Sequence, residues 1–523
     1  MVKLIFLKHY RYWLAACSGI LLFCSYPNIN FYPIAWVALV PLLIGLDKVD
    51  NWKSAFIVGY ISGLLFFAGL LFAIVLLYPY ANIFVTILGY VLLAAYTAVY
   101  FGLFSVFVHH LRWKSGILYP LAVATVWVSL EWVRGWLFTG FPWGYLGYSQ
   151  WNNPSGIQIA SITGVYGVSF LIIFLNAGIA SIIIHRNEWR KELTTVGIPF
   201  LITVICIGYG VLLINRNEST PKTEVKVGLI PGNIKQIDKW NSQKFPEIYR
   251  KYIRLTLKAA QEKPDLIVWP ETTVRGQILT GAWTNYHNIL SQMMNSNGDI
   301  PMIIGATDPD AMGDIYNRVI SLSSDGEILG KYAKMHLVPF GEYVPLSDFL
   351  PNFIQFLPFE PGKSVEILPI TKSGESKGVK DSVKIGTSIC FESAFPNHFR
   401  KFVKKGANIM GILTNDAWFV GTAFPELHLA MAPLRAVENR IDVFRCANGG
   451  YTCTIDKFGR ISSSFVTPVN NKDYVISGIS LFDGYQTIYT RYGDWFPILS
   501  IIVTLLIFSV KIVIHKNTTR IQT

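Results

Sequence analysis

Ser382-Val383-Lys384-Ile385-Gly386-Thr387-Ser388-Ile389-Cys390-Phe391-Glu392-Ser393 is an alternating apolar run that ends in a single cysteine, with a carboxylate two residues further on. Alternation of period two marks a half-buried strand, and a helix-like pattern starts after Pro396. The stretch predicts a strand ending in a sharp turn that lifts a thiol off a sheet edge. A free cysteine has a pKa near ~8.5 and is mostly protonated at neutral pH, so a nucleophilic role requires a base. Acyl chemistry also requires positive charge where the tetrahedral oxyanion forms.

Two other stretches supply these groups. Asp265-Leu266-Ile267-Val268-Trp269 reads as a strand running into Pro270-Glu271, which puts Glu271 just past a strand end. Lys334 follows the second strand of a hairpin expected over 315–335 and stands beside His336 and Glu342 in the dense segment Lys331–Pro345. Glu271, Lys334 and Cys390 thus offer a base, a cation and a nucleophile from three separate strand ends. His336 and His428 would permit a Cys–His pair, but with a Glu and a Lys available they are expected to support or to pack. Cys446 and Cys453 lie in strand-like runs and read as core thiols. No CxxC or Cys/His cluster suggests a metal, and no cofactor is expected.

Around these stretches the pattern from about Glu224 is that of an α/β domain. Strand-like runs cover Val225–Ile230, Asp265–Trp269, Pro301–Gly305, Val383–Ile389, Asn408–Thr414 and Val443–Cys446. Helix-like runs cover Pro246–Gln261, Asn285–Met294, Asn397–Lys405 and Glu426–Asn439. Ser323-Ser324-Asp325-Gly326 and Asp456-Lys457-Phe458-Gly459 carry hairpin turn chemistry. Helices alternating with strands, plus hairpins, predict helices layered over packed sheets. Two aromatic stretches interrupt the pattern: Phe349–Phe359, broken by Pro351 and Pro358, and Trp418-Phe419-Val420 with Phe424. Prolines this dense forbid a regular helix, and exposed apolar loops mark an interaction surface, here expected to be a bilayer-dipping lid.

The rest of the chain is too apolar for a soluble protein. Over 523 residues it is 52% hydrophobic and 15% charged, with mean hydropathy +0.39, against about 25% charged in a typical soluble domain. Stretches long enough to cross a ~30 Å hydrocarbon layer run over 55–76, 83–108, 118–138, 157–184, 196–214 and 495–514, with shorter candidates at 12–26 and 33–46. The first lacks a small-residue cleavage site and is read as retained. Eight transmembrane helices are therefore expected, divided into a membrane domain 1–218, a catalytic domain 219–490, and a last span with its tail at 491–523.

Charge gives the orientation. Lys3, Lys8, Arg11, Lys48, Lys53, Arg112, Lys114, Arg186, Arg190, Lys191, Lys511, Lys516 and Arg520 fall on alternate connections or termini, while 27–32, 77–82 and 139–156 hold no Lys or Arg. By the positive-inside rule both termini are cytoplasmic and the 219–490 domain lies on the opposite side. These thirteen basic residues, less Asp47, Asp50, Glu188 and Glu192, account for +9 of the formal +12. The basic balance is topological, and no nucleic-acid partner is expected. Three of the six cysteines lie outside the spans, so they cannot all pair. In the fifth span Glu131 and Arg134 are close enough to pair, as a structural clamp or a headgroup contact. The uncharged aromatic loop Phe138–Ser149 fits an outer interface or the floor of a lipid pocket.

The order Glu271, Lys334, Cys390 resembles the nitrilase (carbon–nitrogen hydrolase) superfamily. Eight spans, an inserted outside domain, and the phrases Glu131-Trp132-Val133-Arg134-Gly135, Gly164-Val165-Tyr166-Gly167-Val168-Ser169, His336–Pro345 and Asn415-Asp416-Ala417-Trp418-Phe419 resemble its membrane-bound branch, the apolipoprotein N-acyltransferase family. The resemblance covers essentially the whole chain. It implies an α-β-β-α nitrilase-like sandwich inserted in a polytopic helical membrane domain, with Glu271 as general base, Lys334 as oxyanion stabiliser and Cys390 as nucleophile. Glu342 and Glu392 match supporting acidic positions, Trp240 an aromatic position near the lipid, and Asn415 and Trp418 further supporting positions. Phe391 stands where the family often has Tyr, and Leu427 and Pro433 where polar or basic residues are expected. The implied reaction is ping-pong acyl transfer from a phospholipid, phosphatidylethanolamine being the expected donor, to the N-terminal diacylglyceryl-cysteine of a lipoprotein. The implied setting is a monomer in the bacterial inner membrane with a periplasmic catalytic domain. The alternatives are a membrane-tethered amidase or hydrolase, and a non-catalytic lipid- or lipoprotein-binding module.

Overall fold

The computed structural model divides the chain into two units, Met1–Glu218 with Tyr492–Thr523, and Ser219–Arg491. It describes residues 2–521 apart from 28, 48, 81, 112–115, 217–223, 277–282, 297, 346–358, 371–382, 463–472 and 483. The aromatic run Phe349–Leu357 lies outside the described residues, whereas Phe359 at its end is buried.

In the first unit four helices among the described residues are long and apolar enough to cross a membrane: Trp52–Leu70, Ile83–His110, Val165–Ile184 and Arg186–Arg216. Tyr32–Leu46 and Trp495–Ser509 are shorter apolar helices. The expected spans 33–46 and 157–184 are broken, for local reasons. The 33–46 stretch splits into Ala35–Ala38 and Val40–Leu46, because Pro41 lacks an N–H and its ring crowds the carbonyl one turn back. At the break the Leu39 N–H also donates to Asn176 Oδ1 at 2.8 Å, and Asn176 Nδ2 donates back to Ala35 O. The 157–184 stretch breaks at Gly164, whose φ of +68° lies in the left-handed region.

Glu131 and Arg134, both buried, tie down the loop that follows them. Glu131 Oε1 accepts from Leu146 N at 2.6 Å and Trp127 Nε1 at 2.9 Å. Arg134 donates to the carbonyls of Phe141 and Trp143 and lies over the rings of Phe67 and Tyr145. Within the loop Trp143, Tyr145 and Tyr148 are buried, and Phe138 is the exposed ring.

The second unit contains twelve strands among its described residues: β1 (Glu224–Leu229), β2 (Leu266–Val268), β3 (Val274–Arg275), β4 (Met302–Pro309), β5 (Ile315–Leu322), β6 (Ile328–Ala333), β7 (Ile367–Ile370), β8 (Val383–Ile389), β9 (Ile409–Asn415), β10 (Val443–Asn448), β11 (Cys453–Ile455) and β12 (Val475–Ser480). They form two sheets, ordered β12-β1-β2-β4-β5-β6 with β3 beside β4, and β11-β10-β9-β8-β7. Each has a parallel centre, β1-β2-β4 in one and β8-β9-β10 in the other. Both turns read from the sequence make antiparallel pairings, β5 with β6 and Ile455 with Ile461. The sheets meet face to face, as Cys446 Sγ lies 3.5 Å from Val268 O and 3.6 Å from Ile230 O. This thiol is buried in the core.

Helices cover the outer faces. Phe245–Ala260 and Trp283–Ser296 bury Tyr249, Tyr252, Leu255, Leu290 and Met294 against Ile267, Trp269, Ile304 and Ile320 of the first sheet. Pro396–Lys404 packs its Phe402 toward Gly386 of β8, where an added Cβ would meet Phe402 and Met410. Burying a side chain of this size stabilises by roughly 1.5–3 kcal/mol. The helix expected over Glu426–Asn439 is two helices, Phe424–Leu429 and Ala432–Asn439. Pro433, in the first turn of the second, cannot continue a helix from Leu429.

Candidate active site

Parallel strands end on one side of each sheet, and the two sheets bring those ends together. Glu271 lies three residues past β2, Lys334 directly after β6, and Cys390 directly after β8. Gly305 of β4 permits the first placement, because an added Cβ there would collide with Pro270 O and the Glu271 Cα.

Glu271 is buried and closely held. Its Oε1 accepts from Asn317 Nδ2 at 2.8 Å and faces Lys334 Nζ at 3.5 Å, and its Oε2 accepts from Asn415 N at 2.7 Å. Its main-chain oxygen accepts from Lys239 Nζ at 2.8 Å. Lys334, 1% exposed, donates to Glu342 Oε1 at 2.8 Å, and Glu342 Oε2 is fixed by Val338 N. Asn317 Nδ2 also reaches Glu342 Oε1 at 3.0 Å, bridging the two carboxylates. Burial alone would drive the Lys334 proton off, but Glu342 and then Glu271 and Cys390 outweigh it and hold the ammonium above its ordinary range.

Cys390 has φ +51°. An L-residue in that region costs roughly 1–2 kcal/mol, and such strain at a site is a pointer to function. Thr272, beside Glu271, has φ +49°, and Phe340, near Glu342, has φ +59°. For a β-branched Thr this is a real outlier. Burial pushes the Cys390 thiol well up, the Glu271 charge adds to the rise, and Lys334 opposes it. The resting group is therefore a thiol.

Glu392 joins the cysteine turn to the lysine segment. Its Oε1 accepts from Tyr332 OH, Met335 N and His336 N, and its Oε2 from Ile389 N, at 2.7–3.1 Å. Phe391 is buried against Phe395 and His336, with ring centroids 5.1 and 5.6 Å away. Asn415 Nδ2 donates to Gln236 Oε1, and its Oδ1 accepts from Asn448 Nδ2. Trp240 follows the short helix Gln236–Lys239 and carries the Arg275 guanidinium 4.6 Å above its ring. Trp418 stands half-exposed on the turn Asp416–Phe419. Leu427 is buried on the helix Phe424–Leu429.

Two members of this cluster escape a reading of the sequence. Asn317 is an ordinary strand residue until the β5 register turns it between two carboxylates. Lys239 adjoins Trp240 in sequence, but nothing local shows that it is buried. His428, expected from the sequence to support or to pack, has its Nε2 3.1 Å from the Cys390 carbonyl. Among the described residues no group of three or more His, Cys, Asp or Glu has the arrangement of a metal site.

Residues 18–178 match the apolipoprotein N-acyltransferase N-terminal domain, and residues 226–488 match carbon-nitrogen hydrolase. The chain is 33% identical to the apolipoprotein N-acyltransferase of Geobacter metallireducens over 502 residues, covering 93% of this chain and 92% of that one. It is 31% identical to apolipoprotein N-acyltransferase 1 of Treponema denticola over 541 aligned residues, 94% of each. A solved structure, Saccharomyces cerevisiae Nit3, a member of branch 10 of the nitrilase superfamily, is 20% identical with TM-score 0.34, covering 49% of this chain and 90% of that one.

Proposed function

We propose that this chain, which belongs to the apolipoprotein N-acyltransferase family within the carbon–nitrogen hydrolase superfamily, transfers a phospholipid acyl chain to the α-amino group of a lipoprotein's N-terminal diacylglyceryl-cysteine through a thioester on Cys390. The observation that carries the reading is the convergence of buried Glu271 and Lys334 with a left-handed, partly exposed Cys390.

Glu271 takes the Cys390 proton as sulfur attacks the donor's ester carbonyl, phosphatidylethanolamine being the preferred candidate. Lys334 and a main-chain N–H of the cysteine turn stabilise the oxyanion. The C–O bond then breaks, Glu271 returns the proton to the departing alkoxide, and lysophospholipid leaves. In the second half the neutral α-amine attacks the thioester carbonyl, Glu271 takes its proton, the C–S bond breaks and Cys390 is reprotonated. Glu342 and Glu392 hold the cation and the turn, and Trp240, Phe391, Asn415 and Trp418 form the surroundings of the substrates. Donor and acceptor are both bilayer-held, which accounts for a membrane unit of four long apolar helices and more. The charge pattern supports a catalytic unit on the periplasmic side of the bacterial inner membrane, with both termini cytoplasmic.

The test uses the full chain in phospholipid nanodiscs with a fluorescent diacylated lipopeptide. Native protein is expected to form an acylated Cys390 visible by mass spectrometry and then N-acylated lipopeptide, while Cys390→Ala forms neither. Free fatty acid or ammonia without lipopeptide product would instead establish a hydrolase.

A further inference from the structure

The carbonyl of the strained Cys390 is held by a second cluster of buried side chains. The carbonyl oxygen accepts from Ser393 Oγ at 2.8 Å and from His428 Nε2 at 3.1 Å, and Ser393 Oγ and His428 Nε2 are 2.9 Å apart. Ser393 Oγ spends its one proton on the Cys390 carbonyl, so a favourable contact between that oxygen and Nε2 requires the proton to be on Nε2. The other ring nitrogen, Nδ1, lies 3.0 Å from Asp416 Oδ1 and 3.1 Å from Arg445 Nη2. Asp416 is itself fixed, by Arg445 Nη2 at 2.6 Å and Thr414 Oγ1 at 2.9 Å. His428, Asp416 and Arg445 are all buried, so the ring has little freedom to turn.

The consequence follows from the geometry of the peptide group. A trans peptide is planar, and its C=O and N–H point in opposite directions. Anchoring the Cys390 carbonyl therefore sets the direction of the Phe391 N–H. That N–H belongs to the first turn of the 3-10 helix Cys390–Ala394, where N–H groups have no intrahelical acceptor. We infer that His428, held by Asp416 and Arg445, is a positioning residue that fixes the 390–391 peptide so that the Phe391 N–H serves with Lys334 as the oxyanion donor. This places the histidine outside the proton-transfer path, although it adjoins the nucleophile.

The inference rests on the acyl-transfer reading and is tested in the full-length enzyme in nanodiscs with two amide variants. His428→Gln keeps a donor at the Nε2 position, whereas His428→Asn reaches only toward Asp416. Thioester formation is read at saturating phospholipid, and alkylation of Cys390 by iodoacetamide, which forms no oxyanion, is read beside it. His428→Asn is expected to slow thioester formation on the order of 10²-fold, the cost of losing one oxyanion donor, with the apparent KM for phospholipid held and alkylation changed far less. His428→Gln is expected to recover most of the lost rate. Parallel losses of acylation and alkylation, an equally slow Gln variant, or an unimpaired Asn variant would each overturn the assignment. Absence of a thioester in the native enzyme would instead remove the reading beneath it.

Discussion

Lys334 Nζ lies 2.8 Å from Glu342 Oε1 but 3.5 Å from Glu271 Oε1, so the cation is held by one carboxylate while it faces the proposed base. Glu342→Gln removes the charge that does most to keep the buried Lys334 protonated. Acyl-thioester formation should fall on the order of 10²-fold, with little change in the apparent KM for phospholipid. Single-turnover acylation of Cys390 measures both. A variant that loses phospholipid binding but keeps its maximal rate would place Glu342 against the donor.

Glu392 makes the cysteine turn acid-sensitive. Burial pushes its carboxyl up, but His398, the Ile389 N–H and Lys334 outweigh this and hold it at about 2, below an unfolded value near ~4.3. The stability it contributes is complete above the unfolded value and is lost as pH falls through about 2, roughly 3 kcal/mol in all. Glu392→Gln should lower Tm at pH 7, since four donors lose a charged acceptor. It should also flatten the native protein's loss of Tm between pH 4.5 and 2. Parallel acid profiles for the two proteins would show that Glu392 has no such role.

Much of this site was legible because chemistry and topology coincide at strand ends. The run into Cys390 shows its strand by alternation, and Glu271 follows an uninterrupted apolar run, so both positions are local facts. Lys334 follows from the Ser323–Gly326 turn, which sets the hairpin. Contacts between remote segments were not legible. Asn317 enters through strand register and Lys239 through the burial of one short helix, while His428 was legible as a supporting histidine but its contact with the Cys390 carbonyl was not. In the membrane unit the same limit applies to the partner at the Leu39 break, where the main-chain N–H donates to Asn176, 137 residues away.

The Glu131–Arg134 pair acts as a clamp on the loop after it, since both side chains are spent on Leu146, Phe141 and Trp143 backbone groups. Arg134→Met leaves two buried carbonyls and a carboxylate without their cation, a change of about 3–5 kcal/mol. Tm and the yield of folded protein should fall, while the apparent KM for phospholipid per folded molecule stays near native. A raised KM at native Tm would mean that Arg134 meets a lipid headgroup.

Lys239 is a buried cation whose described hydrogen bond is to a neutral acceptor, the Glu271 carbonyl. Burial lowers its pKa to about 7, with Glu271 and Cys390 opposing the fall and Arg275 adding to it. The unfolded value is near ~10.4, so between pH 7 and 10 the unfolded chain binds the extra proton and stability must rise with pH. The penalty is absent above the unfolded value and fully present at about pH 7, where it is on the order of 4 kcal/mol. Lys239→Met removes both this penalty and the anchor on Glu271. Its Tm relative to native should therefore be more favourable at pH 7 than at pH 9.5, while thioester formation slows at both because the base has lost its backbone support. Differential scanning of the two proteins side by side cancels the other titrating groups. An equal Tm difference at the two pH values would show that Lys239 keeps its proton throughout, and that the site holds a second permanent cation beside Lys334.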